Sequence, residues 1–139
     1  MNLLARREHS RAELARKLLA HAEADEVDAL LDQLEQENLL SNTRYVEMLA
    51  HARAGKHGSL RLKADLRDKG VPESEMADVL EDARAHDLEA ARAIWQKKFG
   101  TRPEAASAAE RARQYRFLSG RGFPGDVIRR VIGGETDVE

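Results

Sequence analysis

Residues 120–125, Gly-Arg-Gly-Phe-Pro-Gly, have the spacing G-x-G-x-x-G, in which glycines let backbone amides close around a phosphate. That chemistry requires a strand before the loop and a crossover helix after it. Here a helical apolar pattern precedes the loop. A sister segment, Leu66-Arg67-Asp68-Lys69-Gly70-Val71-Pro72, keeps only one of the three glycines. Both segments therefore read as turns between helices, and no G-x-x-x-x-G-K-[ST] loop occurs elsewhere. The five histidines, His9, His21, His51, His57 and His86, show neither H-x-x-x-H nor H-E-x-x-H spacing, so no metal is expected. With no cysteine, thiol catalysis, disulfides and cysteine-ligated metal centres are excluded. Carboxylates stand at helical spacing from bases, as in Glu13 with Lys17 and Asp65 with Lys69, which is surface pairing and not a catalytic dyad. The expectation is a protein that is not an enzyme, with no catalytic residue and no cofactor.

What remains for function is a surface of cations. Arg53, Lys56, Arg61, Lys63, Arg67 and Lys69 crowd one stretch, and Lys97, Lys98, Arg102, Arg111, Arg113, Arg116, Arg121, Arg129 and Arg130 continue it. Guanidinium groups clamp carboxylates or phosphates in two-point contacts, so an acidic protein groove and a nucleic acid are both suitable partners. The overall balance is −2, yet it is unevenly spread. Residues 88–133 carry ten Lys and Arg against four Asp and Glu, a balance of +6, while residues 1–41 carry five against nine, a balance of −4. Tyr45, Trp95, Phe99, Tyr115, Phe117 and Phe123 are read as packing residues in preference to base-stacking platforms.

The elements that must position these cations are helices. Of the 139 residues, 42% are hydrophobic, 35% charged and 4% aromatic, a mixture that favours helices in close contact over a sheet. Ser10 and Glu13 form a capping box before a helix from Arg11 to about His21. A short helix around Leu3 to Glu8 precedes it. A third helix runs from about Asp25 to Glu37, with Val27, Leu30, Leu31 and Leu34 on its stripe. Ser41 or Asn42 caps the next, which carries Tyr45, Met48, Leu49 and Ala52. Ser59 opens a helix bearing Leu62 and Leu66 that Gly70 closes, and Pro72 starts one bearing Met76, Val79, Leu80 and Ala83. Leu88, Ala91, Trp95 and Phe99 fit another helix, which Gly100 to Pro103 breaks. Glu104 to Arg121 reads as a helix with Ala108, Ala112, Tyr115 and Leu118 inward, and Pro124 opens the last, with Val127, Ile128, Val131 and Ile132.

Leu14 and Leu18 align with Leu62 and Leu66 at offset 48, and Gly70, Pro72, Met76, Val79 and Leu80 align with Gly122, Pro124, Ile128, Val131 and Ile132 at offset 52. The simplest account is an all-α chain of three tandem three-helix repeats, 1–41, 42–87 and 88–133, with an acidic disordered tail at 134–139. The opening residues turn charged too soon for a signal peptide or membrane span, which predicts a cytoplasmic protein with no membrane partner. Intrachain stacking accounts for the apolar residues, which predicts a monomer.

Four segments in order, Leu4 to Leu14, Leu66 to Pro72, Trp95-Gln96-Lys97-Lys98-Phe99-Gly100 and Arg113 to Phe123, resemble the RecX family of recombination regulators over nearly the whole chain. The resemblance implies an elongated, curved array of three-helix repeats. It also implies a DNA-repair and SOS-response role: a negative regulator that lies in the groove of the RecA filament on single-stranded DNA. Such a protein would block filament extension or promote disassembly, lowering ATPase, strand exchange and coprotease activity. The partners implied are the RecA filament and single-stranded DNA, contacted directly or through the filament. The family supplies no compact contact motif. The candidate positions are therefore Arg53, Lys56, Arg61, Lys63, Arg67, Lys69, Lys97, Lys98, Arg113, Arg116, Arg121, Arg129 and Arg130, chosen on charge and place in the repeat. An independent DNA-binding helical protein that uses the basic second and third repeats is the alternative.

Overall fold

A computed structural model describes residues 7–100 and 107–133. Among these there are seven α-helices and no strand: α1 (Arg11–Leu18), α2 (Ala24–Gln36), α3 (Asn42–Arg53), α4 (Ser59–Asp68), α5 (Glu73–Phe99), α6 (Ala108–Gly120) and α7 (Gly125–Gly133). The all-α expectation holds. The helix expected over Leu3 to Glu8, the break at Thr101 to Pro103, Arg102, the start of a helix at Glu104 and the tail at 134–139 fall largely or wholly outside the described residues. Arg7 and Glu8 are described and are not helical.

Helix starts follow local chemistry. The Ser10 hydroxyl accepts from the Glu13 amide at 3.0 Å, and the Glu13 carboxylate accepts from the Ser10 amide at 3.3 Å, completing the capping box. Ser41 accepts from the Arg44 amide at 3.1 Å and Ser107 from the Glu110 amide at 3.0 Å. Helix α1 stops at Leu18, short of His21, and Leu19 is about half exposed.

The repeated Leu-x-x-basic-Gly-apolar segments have one physical origin. At the end of α4 the Gly70 amide donates to the Arg67 carbonyl and the Val71 amide to the Leu66 carbonyl; at the end of α6 Gly122 donates to Ser119 and Phe123 to Leu118. These are paired Schellman bonds around a left-handed residue, with φ 76° at Gly70 and 89° at Gly122. The apolar residues flanking each turn, Leu66 with Val71 and Leu118 with Phe123, are all buried. Both glycines are also packed closely. A Cβ on Gly70 would overlap the Ala12 methyl, and one on Gly122 would sit 2.6 Å from the Arg61 amide nitrogen.

One difference from expectation is substantial. The segments expected as separate helices around Met76 to Ala83 and Leu88 to Phe99 form the single 27-residue α5. Residues 81–90 contain neither glycine nor proline and are rich in Ala and Glu, so nothing local stops the helix.

The chain divides into two compact units. The first comprises residues up to 52 together with 64–79, and the second 53–63 together with 80 onward. In the first, α1 packs on α2, and Leu14, Val27, Leu31 and Leu40 form a core flanked by Ala15, Leu18 and Leu34. Leu30, expected on this stripe, is 42% exposed. In the second, α6 packs on α7 around Ala91, Leu118, Phe123, Ile128 and Val131, with Trp95, Tyr115, Val127 and Ile132 against them. Each fully buried Leu, Ile or Phe contributes about 1.5–3 kcal/mol, so either core outweighs any surface ion pair. Ala108 and Ala112, expected inward, are exposed. Gln114 is buried instead, its carbonyl oxygen accepting from the Trp95 indole at 2.9 Å, which satisfies both polar groups.

Candidate functional site

Each unit contains a junction where the start of one helix meets the end of another. In the first, the Ser10 hydroxyl donates to the Lys69 carbonyl at 2.6 Å and the Arg16 guanidinium to the Asp68 carbonyl at 2.9 Å, so α1 supplies donors to the free carbonyls ending α4. In the second, the Gly58 amide donates to the Arg121 carbonyl at 2.8 Å and the Leu60 amide to the Gly122 carbonyl at 3.0 Å. A Cβ on Gly58 would lie 2.5 Å from the Gly122 oxygen, so the direct backbone contact requires glycine there.

The first junction is ionic. Buried Glu13 pairs with Arg7 and lies 3.8 Å from the Lys69 ammonium. Burial alone would raise its carboxyl, but the Arg7 hydrogen bond and charge with the Ser10 amide outweigh it and hold the group below its ordinary range. His9 is buried beside it. Burial, then the Arg7 charge, lowers the imidazole, and the neutral ring fits its partners: Nδ1–H faces the Arg7 carbonyl at 3.1 Å, and Nε2 accepts from Lys17 at 3.2 Å. The second junction holds buried Asp87, whose carboxylate accepts from the Ser59 amide at 2.9 Å and hydroxyl at 2.5 Å. Burial raises this carboxyl, and the two Ser59 bonds offset only part of the effect. Asp87 thereby caps α4 from α5, a contact no sequence spacing announces.

The candidate cations sort unequally between these surroundings. Arg67 and Lys69 belong to the first unit and face acids, Arg67 bridging to Glu73 at 3.0 Å and Lys69 lying near Glu13. Arg53, Lys56, Arg61 and Lys63 belong to the second unit. Lys56 is exposed in the turn before α4, while Arg53, Arg61 and Lys63 are half-buried, with the Arg61 backbone under Gly122. Lys97, Arg116 and Arg129 are exposed and Arg130 is half-buried.

Three candidate cations come together around an aromatic pair, with the backbone of a fourth, Lys56, beside them. Phe99, buried at the end of α5, meets half-buried Phe117 of α6 edge to face, with ring centroids 5.6 Å apart and planes at 87°. The Lys98 ammonium stands 4.9 Å from the Phe117 centroid and 5.9 Å from that of Phe99; Arg121 is 5.2 Å from Phe117 and Arg113 5.8 Å from Phe99. Arg121 also donates to the Lys56 carbonyl at 3.1 Å, bringing a fourth cationic residue beside the group. Ring faces stabilise the cations by about 0.5–1 kcal/mol each and hold them in place without neutralising them. Glu110 engages Arg113 at 3.0 Å. The result is a cationic face on an aromatic base, suited to phosphates or carboxylates. Sequence reasoning named the four cations but assigned Phe99 and Phe117 to packing alone; the pairing of Lys98 with Phe117 across two helices has no sequence signature.

Among the described residues no three His, Asp or Glu side chains group as a metal site, and no described helix is long and apolar enough to cross a membrane.

Comparison with known proteins gives matches along the chain. Residues 1–34, 41–80 and 85–132 match the models of the RecX first, second and third three-helix domains. The protein named Regulatory protein RecX from Ralstonia pickettii (strain 12J) is 46% identical over 139 residues, covering 99% of this chain and 86% of that one. Those of Leptothrix cholodnii and Pseudomonas putida (strain KT2440) are 47% and 41% identical, covering 95% and 96% of this chain and 83% and 86% of theirs. The crystal structure of RecX from Lactobacillus salivarius superposes with a TM-score of 0.79 at 18% identity, over 94% of this chain and 88% of that one, which shows a shared fold.

Proposed function

The chain belongs to the RecX family, and from that premise we propose that it is a negative regulator of the RecA recombinase that binds the RecA filament on single-stranded DNA. It acts along the filament groove, blocking extension or promoting disassembly, and so lowers ATP hydrolysis, strand exchange and coprotease activity. The observation that carries this reading is the near-full-length similarity to proteins named Regulatory protein RecX. The surface chemistry agrees with it. A regulator needs a binding face and no reacting groups, and the buried acids, Glu13 and Asp87, are consumed by helix ends. The Lys98, Arg113 and Arg121 face, with exposed Lys56 next to it in the fold, has the charge to meet DNA phosphates or carboxylates of the filament.

Adding the protein to RecA filaments preformed on single-stranded DNA should shorten them, as read by electron microscopy. Filaments of unchanged length and number at saturating protein would contradict the proposal. The aromatic base of the cationic face favours a second reading, direct single-strand binding, for which affinity for a free oligonucleotide would fall steeply with salt.

A further inference from the structure

On another side of α6 from the Phe117 cluster, the second unit has an open cleft of about 390 Å³ between α6 and α7. Arg111, Ala112 and Tyr115 form one wall, and Arg129, Ile132 and Gly133 the other. Ile128 and Val131 are spent on the core, but Ile132 of the same helix is only half-buried, as is Tyr115. The floor therefore consists of an isoleucine, a tyrosine ring and an alanine methyl, and one arginine from each helix completes the lining.

Its geometry depends on backbone. A Cβ on Gly125, at the start of α7, would lie 2.7 Å from the Tyr115 hydroxyl and 3.2 Å from an Arg129 guanidinium nitrogen. The glycine keeps Tyr115 and Arg129 close against the α7 start.

The chemistry of this lining selects its occupant. Apolar floors gain by removing apolar surface from water, and guanidinium groups gain by pairing with carboxylates. A phosphate backbone would meet the two arginines but leave the apolar floor unused, whereas an acidic peptide carrying one large apolar side chain uses both. The volume lies at the small end of the range for binding pockets, about 300–1,000 Å³, which suits a single anchoring side chain. The cleft also lies in the part of the sequence with a balance of +6, so long-range charge favours an acidic partner. We propose that the α6–α7 cleft docks an acidic segment of a RecA protomer, which inserts one apolar side chain onto Tyr115 and Ile132 with carboxylates at Arg111 and Arg129. This rests on the reading that RecA is the partner.

The test compares full-length protein binding to RecA assembled on oligo-dT with a slowly hydrolysed ATP analogue, and to the same oligo-dT free. Ala112→Trp fills the cleft from an exposed helix position while keeping every charge; Arg111→Glu/Arg129→Glu keeps the cleft and reverses its charge. Both should retain wild-type helicity by circular dichroism and weaken filament binding at least tenfold, with Ala112→Trp binding free oligo-dT within twofold of wild type. Wild-type binding to the filament combined with undiminished binding by both variants would overturn the cleft and leave the RecA reading standing. Equal losses of Ala112→Trp on filament and free oligo-dT would make the cleft a nucleic-acid seat. A wild-type dimer in sedimentation that Ala112→Trp dissolves would assign it to a second copy of the chain. Absence of wild-type filament binding would overturn both readings together.

Discussion

The two helix junctions solve one problem with different chemistry. Each joins the start of one helix to the Schellman turn ending another, and each turn depends on a left-handed glycine under close packing. The first then uses side chains and charge: Ser10 and Arg16 donate to the carbonyls ending α4, while Arg7, Lys69 and the Ser10 amide surround the buried Glu13 carboxylate. The second uses backbone, Gly58 and Leu60 donating directly to Arg121 and Gly122, with buried Asp87 capping α4 from outside. A repeat thus preserves the turn while the contacts that close it vary. At the first junction Arg7 and Lys69 face the buried Glu13, whereas the acid of the second, Asp87, is engaged by Ser59, and Lys98 and Arg121 lie over the Phe117 ring.

The largest expected effect tests the shared part. Gly70→Ala and Gly122→Ala each force a Cβ into a left-handed position and an occupied space, and should each cost about 2–4 kcal/mol in urea denaturation. Similar losses at the two sites would confirm a common joint. A neutral result at either would separate them.

Next comes the chemistry that differs. Glu13→Ala should cost about 1–2 kcal/mol by removing the capping box and ion cluster, discounted because Arg7 is substantially exposed. Asp87→Asn should cost less than about 1 kcal/mol, since the amide oxygen still accepts from the Ser59 amide and the amide NH2 can donate to its hydroxyl.

Acid should sharpen the contrast. The His9 imidazole is lowered in the fold, so its contribution is complete above the ordinary 6.5 and is lost as pH falls from there through the depressed value. Glu13, also lowered, contributes above 4.5 and loses that contribution on further acidification. Asp87 is raised, so the folded state takes up the proton first and gains stability as pH falls through the raised value toward 3.8. Hydrogen exchange, corrected for its intrinsic pH dependence, should lose protection in α1 before α6 between neutrality and about pH 4. Loss in the opposite order would refute the assignment.

The smallest effect on stability belongs to the surface. Lys98→Glu/Arg121→Glu should shift unfolding by no more than about 2 kcal/mol, the loss of the ring contacts, while raising the concentration needed for half-inhibition of RecA about tenfold or more. Unchanged inhibition would remove this face from the account.

What the sequence made legible follows the range of each interaction. The Ser10–Glu13 box, the glycine turns and, Leu30 apart, the stripes of α2 and α7 depend on residues a few positions apart, and they stand where spacing predicts. The continuous α5 was missed because repeat symmetry suggested a boundary where the local residues supply no stop signal. Asp87 capping Ser59, Gln114 receiving Trp95 and Lys98 over Phe117 link residues 28, 19 and 19 positions apart, and only packing creates them. Of the cations proposed from charge alone, the grouping of Lys56, Lys98, Arg113 and Arg121 was beyond reach for the same reason.

The most direct test of the central claim is RecA's single-stranded-DNA-dependent ATP hydrolysis measured against increasing amounts of this protein, because that rate follows the amount of active filament. Regulation of RecA predicts inhibition at less than one molecule per RecA protomer. Undiminished hydrolysis at excess protein, with binding to free single-stranded DNA intact, would contradict it and assign the cationic face to nucleic acid alone.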